Sequence, residues 1–113
     1  MIISASAFSQ NIEFTKDNFK TDKDGLKEAK DNLEKGDALF EMATVYYKQA
    51  LDPYYLAAYK FNPNNALLNY KVGKCYLYSN YKLKSIAFLE KALQLNPNVD
   101  PQIHFVLGQA YHF

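Results

Sequence analysis

The sequence predicts an all-α fold, and three observations carry that expectation. A 34-residue period runs through most of the chain: Asn62-Pro63-Asn64 returns as Asn96-Pro97-Asn98. Apolar residues recur three and four apart, as on one face of a helix, and do not alternate as in a strand. Each period also closes on Asn-Pro, and the residue before a proline is pushed out of the helical region, so a helix stops there. At 113 residues the chain is one domain or part of one. A body of this size buries roughly 60–65% of the surface its unfolded chain exposes, enough for a modest core and no deep cavity.

The elements follow in chain order. Ala7 and Ser9 place small residues three and one before Gln10, the spacing of a signal-peptidase site. The charged leading region is missing and the apolar run is short, so residues 1–9 resemble the end of a truncated secretory signal. Residues 10–24 are polar and read as an extended lead-in, either pinned to the first helix by Phe14 and Phe19 or disordered. A first helix is expected near 24–41, then a turn at Met42–Thr44. A second helix is expected near 45–61, kinked at Pro53, because Asp52-Pro53 sets a helix-start signal inside a run that already reads helical. The alternative is a long first helix and a short one starting at Pro53, which leaves no turn at 42–44. Two more helices are expected near 65–78 and 82–95. Asp100-Pro101 is a second helix-start signal, opening a helix near 101–112.

The period relates these helices. Leu68 to Tyr76 returns as Ile103 to Tyr111, 35 residues on, with one residue inserted near Val99-Asp100. Tyr55 pairs with Leu89, Ala58 with Ala92 and Phe61 with Leu95 at 34, and Asn32 to Leu39 is a weaker first copy. Gly73 and Gly108 fall inside helices, where glycine costs about 1 kcal/mol relative to alanine. Close approach of a neighbouring helix is the expected compensation, and Ala58 and Ala92 serve the same end on the second helices. Tyr76, Leu89 and Leu93 are expected to fill the space between layers.

Spacing and residues together resemble the tetratricopeptide repeat, with two helices per 34 residues. The middle unit carries Asn69, Val72-Gly73, Tyr76, Ser85, Leu89, Ala92 and Pro97 at the motif positions, and the last carries His104, Leu107-Gly108 and Tyr111. The first carries Asn32, Lys35-Gly36, Leu39, Leu51, Tyr55, Ala58 and Pro63. The motif's tryptophan is Asn, Asn and His here, Lys35 replaces an apolar residue, and the first unit has about three extra residues in its turn. The resemblance implies a right-handed helical solenoid of about two and a half repeats over residues 25–113, with units near 26–63, 64–97 and 98–113. It also implies that the first helix of each unit lines a concave face that takes a peptide or partner protein. The residues implied are Tyr70, Lys74, Leu77 and Tyr78 in the middle unit, Leu33, Asp37 and Phe40 before it, and Phe105, Gln109 and His112 after it. A clamp for chaperone C-termini is incomplete, since its positions hold Leu33, Asp37, Lys71 and Lys74, with no arginine.

Composition narrows the function classes. The net charge is +1, and all 13 basic residues are lysine. Bidentate reading of guanine or phosphate is mostly arginine work, so nucleic acid is not an expected partner. Residues 1–64 hold 8 Lys against 10 acids and residues 65–113 hold 5 Lys against 2 acids, a mild asymmetry. No apolar run is long enough to cross a bilayer. Cys75 is the only cysteine, and its alignment with Ala38 and Ala110 marks a small packing position, hence an inert buried thiol. No phosphate loop or nucleophile motif is present. His104 and His112 lie about 12 Å apart along one helix, too far to share a metal. No enzyme activity, cofactor or metal is expected.

The runs GDALF, ALDPYYLAAYKFNPNNALLNYKVGKCYLYS and LEKALQLNPNVDPQIHFVLGQAYH are similar to the N-terminal repeats of bacterial cell-envelope proteins in which such a segment precedes a β-propeller and an OmpA-like domain. That resemblance implies a periplasmic or outer-membrane-associated place; without it a cytoplasmic one stands. The apolar set Val106, Leu107, Tyr111 and Phe113 on the last helix predicts either a piece of a longer protein or self-association through that helix. Two functions follow: a binding module using the concave face, or a structural spacer with no ligand of its own. Exposure of Tyr70, Lys74 and Tyr78 on one face favours the first, and their burial favours the second.

Overall fold

The computed structural model describes residues 10–112; the signal-like segment 1–9 and Phe113 lie outside them. The described residues form helices and turns, with no strand. Helix α1 spans Lys23–Phe40 and is capped by Asp22, whose carboxylate accepts from Gly25 N at 2.8 Å. Three turn residues follow, and α2 then runs over 44–61 in four pieces. These are a 3-10 turn Thr44–Tyr46, a short α turn Tyr47–Gln49, a wide π-type turn Ala50–Tyr55 and an α stretch Leu56–Phe61. Asp52 breaks the path with an extended backbone (φ −128, ψ 119) immediately before Pro53. The kink therefore falls where the helix-start signal interrupts the run, and the turn at 41–43 separates α1 from α2.

Helices α3 (Ala66–Leu77) and α4 (Lys82–Leu95) form a second pair. The short connection between them turns at Asn80, whose φ of 68 is in the left-handed region that asparagine tolerates. Asn65 caps α3 by accepting from Leu68 N at 2.9 Å. Both second helices stop at the residue before Asn-Pro: Asn62 (φ −140, ψ 92) and Asn96 (φ −156, ψ 106) are extended. The last helix, α5, spans Ile103–His112 and starts two residues later than expected. Asp100 caps a preceding turn instead, accepting from Gln102 N at 2.8 Å, and Pro101 lies in that turn.

Consecutive helices pack in sequence: α1 on α2, α3 on α4, α3 on α2, and α5 on α4 and α3. The core divides accordingly. One cluster joins Tyr47, Ala50, Leu51, Tyr55 and Ala58 of α2 to Leu68, Val72 and Cys75 of α3. The other joins Tyr70 of α3, with Leu89 and Ala92 of α4, to Ile103, Val106, Leu107 and Ala110 of α5. Fully burying one such large side chain stabilises by about 1.5–3 kcal/mol.

The glycines show how the pairs close. A Cβ on Gly36 would stand 2.6 Å from the Tyr55 ring, and one on Gly73 would stand 2.7 Å from Leu89 Cγ. Tyr55 and Leu89 are themselves equivalent at offset 34, so the same small-against-large contact is made in both pairs. Gly108 departs from the expectation: among the described residues nothing lies within 4 Å of a Cβ placed there.

The lead-in is ordered and only its first residues are extended. The main chain of Ile12 is hydrogen-bonded to the loop after α2: its N–H donates to Asn64 O at 2.8 Å, and its carbonyl accepts from the side chains of Asn62 and Asn65 through their Nδ2 atoms. Asn11 Oδ1 accepts from Ala66 N at 2.7 Å, a second cap on α3 supplied from 55 residues away. Turns then carry Phe14 onto the first core cluster and Phe19 onto Phe61, ring centres 4.7 Å apart. The two phenylalanines thus pin the segment to the end of α2 as well as to the core, more widely than to α1 alone.

Candidate functional site

The residues implied for a binding face come from α1, α3 and α5, and the structure sorts them into three groups. On the α1 side, Leu33 and Asp37 border a hollow of about 220 Å³ with Glu13, Phe14, Leu67 and Lys71. Phe14 of the lead-in forms part of its wall and, like Leu33, packs against the first core. Asp37 is engaged internally. Its Oδ1 accepts from the Tyr55 hydroxyl at 2.5 Å and from Lys71 Nζ at 2.8 Å. Tyr55 is fully buried, and burial, then the hydrogen bond to Asp37, hold its hydroxyl well above the usual phenol range.

In the middle, Phe40 stacks on Tyr47 with ring centres 4.4 Å apart, and Tyr47 meets Tyr78 edge-on at 5.5 Å. Lys74 Nζ stands 5.8 Å from the centres of both the Phe40 and Tyr70 rings. Such cation–π contacts are worth about 0.5–1 kcal/mol at exposed sites. Lys71 is paired with Asp37, whereas among the described residues no carboxylate lies within ion-pair distance of Lys74. Tyr70 corrects the sequence reading. It is 3% exposed, part of the second core, and its hydroxyl is raised above the ordinary range first by burial and then by Asp100. The insertion near Val99-Asp100 brings that acid to the Tyr70 hydroxyl, which a strict 34-residue spacing conceals.

On the α5 side, Leu77, Tyr78 and Gln109 come together with Asn80 and Lys82 around a hollow of about 290 Å³. Gln109 Oε1 is buried with no donor among the described residues. Tyr78 is 48% exposed. Phe105 (68% exposed) and His112 are on the surface of α5 and do not line this hollow. Asn80 and Lys82 were not singled out from the sequence; the Ser79-Asn80 turn signal was the available cue.

Cys75 is fully buried, and its thiol is pushed up to about 12 by burial, with Lys74 and Lys71 acting weakly the other way. A thiol held protonated is a poor nucleophile. Among the described residues no three His, Cys, Asp or Glu side chains gather as a metal site, and no helix is long and apolar enough to cross a membrane. Compared with known protein families, curated proteins and solved structures, the chain matches none.

Proposed function

We propose that the protein is a non-enzymatic binding module of tetratricopeptide type, and that its ligand is an extended, acidic peptide segment. The α3–α5 half of the face is the ligand's seat, because on the α1 half Phe14 and Leu33 are engaged with the core and Asp37 and Lys71 are spent on each other. The observation that carries the reading is the convergence of Leu77, Tyr78 and Gln109 on one hollow, with the uncompensated Lys74 on the neighbouring turn of α3. An apolar floor, an exposed aromatic edge and an acceptor awaiting a donor suit a peptide backbone flanked by carboxylates. The excess of lysine in residues 65–113 has the same sign. The solenoid reading is supported by the repeated glycine contacts Gly36–Tyr55 and Gly73–Leu89. An envelope location belongs to this proposal through the sequence resemblance.

Selection of a random peptide library on the full chain tests it. Enrichment of acidic sequences, with binding lost in Tyr78→Ala and Lys74→Gln, is the expected result. No enrichment, or binding indifferent to both variants, overturns it. The burial of Tyr70 and the internal use of Asp37 favour a second reading, a spacer whose face is mostly core. A null result in the selection is what the spacer predicts.

A further inference from the structure

We propose that the outer face of α5 is a docking site for one additional amphipathic helix, seated on it as α4 is seated on α3. The occupant is a partner helix with a small residue, a leucine four positions on, and a second small residue three further, as in Ser85, Leu89 and Ala92. The site continues an interface the molecule already contains twice. Gly36 is closed by Tyr55 and Gly73 by Leu89, each within 2.7 Å of the missing Cβ, while no described residue lies within 4 Å of a Cβ at the equivalent Gly108.

Two further positions on the same stripe agree. Tyr76 is held on both sides, against the α2 core and against Phe88 and Tyr81. Its equivalent, Tyr111, donates its hydroxyl to Glu90 of α4 and is 58% exposed. Asn69 is fully buried, whereas its equivalent His104 is exposed. His104, Gly108 and Tyr111 therefore form one uncovered stripe at i, i+4 and i+7. A second copy does not supply the occupant. Its α4 already spends Leu89 on its own Gly73, and its α5 would set glycine against glycine, with no side chain to fill the gap.

A fluorescein-labelled peptide of residues 80–98, titrated with the full chain and followed by anisotropy, tests the proposal with an α4-type seam as probe. Saturable binding tighter than about 1 mM is expected. It should weaken about tenfold or more when Gly108→Leu fills the cleft, and also when the peptide carries Leu89→Ser. Far-UV circular dichroism verifies that Gly108→Leu is folded, and its open surroundings make that the expected result. Absence of binding overturns the proposal. So does binding indifferent to Gly108→Leu, which means that the peptide displaces α4. A concentration-dependent dimer abolished by Gly108→Leu, without peptide binding, also overturns it and makes a second copy the occupant.

Discussion

Gly73→Ala and Gly108→Ala make the same chemical change at equivalent positions of α3 and α5, and they are expected to move stability in opposite directions. Each gains the helix propensity of alanine, about 0.8–1 kcal/mol, somewhat less near the end of α5. At Gly73 the new Cβ would lie 2.7 Å from Leu89 Cγ, 2.8 Å from Cδ2 and 3.2 Å from the Leu89 backbone N. Leu89 is fully buried between helices and cannot swing aside. Overpacking of this kind costs about 1–3 kcal/mol, so the net loss at Gly73 reaches up to about 2 kcal/mol. At Gly108 nothing opposes the gain, leaving about 0.5–1 kcal/mol of stabilisation. Because the propensity terms nearly cancel, the two variants should differ by about 1–3 kcal/mol. With a urea slope of about 1–3 kcal/mol per molar, their midpoints separate by about 1 M. Urea unfolding followed by far-UV circular dichroism measures this directly. Midpoints that rise together, or that fall together, refute the packing assigned to the two glycines.

Three other outcomes follow from the buried polar groups. Stability should hold from neutrality to pH 9.0 and fall steeply above it, because the unfolded chain gives up the Cys75 proton near 9.0 and those of Tyr55 and Tyr70 near 10.0. The folded chain retains these protons to higher pH, so each such group removes about 1.4 kcal/mol per pH unit once its unfolded form titrates. Cys75→Ala should delay the onset, and a midpoint flat to pH 11 would sink the assignment. Asp37→Ala strands the buried Tyr55 hydroxyl and should cost about 1–3 kcal/mol, whereas Lys71→Met leaves Asp37, the more exposed partner, to Tyr55 and solvent and should cost under about 1 kcal/mol. A double-mutant cycle of Asp37→Ala with Tyr55→Phe should give at least about 0.5 kcal/mol of coupling, and additivity would contradict the hydrogen bond. Asn11→Ala removes a cap from α3 and should cost about 1 kcal/mol, with faster hydrogen exchange at the Ala66 amide as its local signature.

Helix ends were the most legible features, since they are set by neighbours in sequence. Asn62-Pro63 and Asn96-Pro97 stop α2 and α4 by steric exclusion acting over two residues. The break before Pro53 has the same local cause. The delayed start of α5 shows the limit of such signals: Asp100 satisfies Gln102 in a turn, and helical geometry begins only at Ile103. The buried asparagines were less legible. Asn62 and Asn65 hold the carbonyl of Ile12, and Asn69 Nδ2 donates to the carbonyls of Pro63 and Asn65, so Asn69 ties down a loop. These bonds reach up to 53 residues along the chain, beyond any local pattern.

The sequence by itself determined the helices, their order and the equivalence of their positions, because periodicity, caps and proline exclusion act within a turn or two. It also determined that Gly36, Gly73 and Gly108 occupy one kind of position. Only the tertiary structure decided what each of them meets: a tyrosine ring, a leucine, and open space. The same holds for the candidate face. Spacing placed Tyr70 and Tyr78 on one helix, but α5 and Asp100 bury the first, while the turn at Asn80 leaves the second open beside Gln109. Burial is a property of what packs against a side chain, and those partners lie tens of residues away.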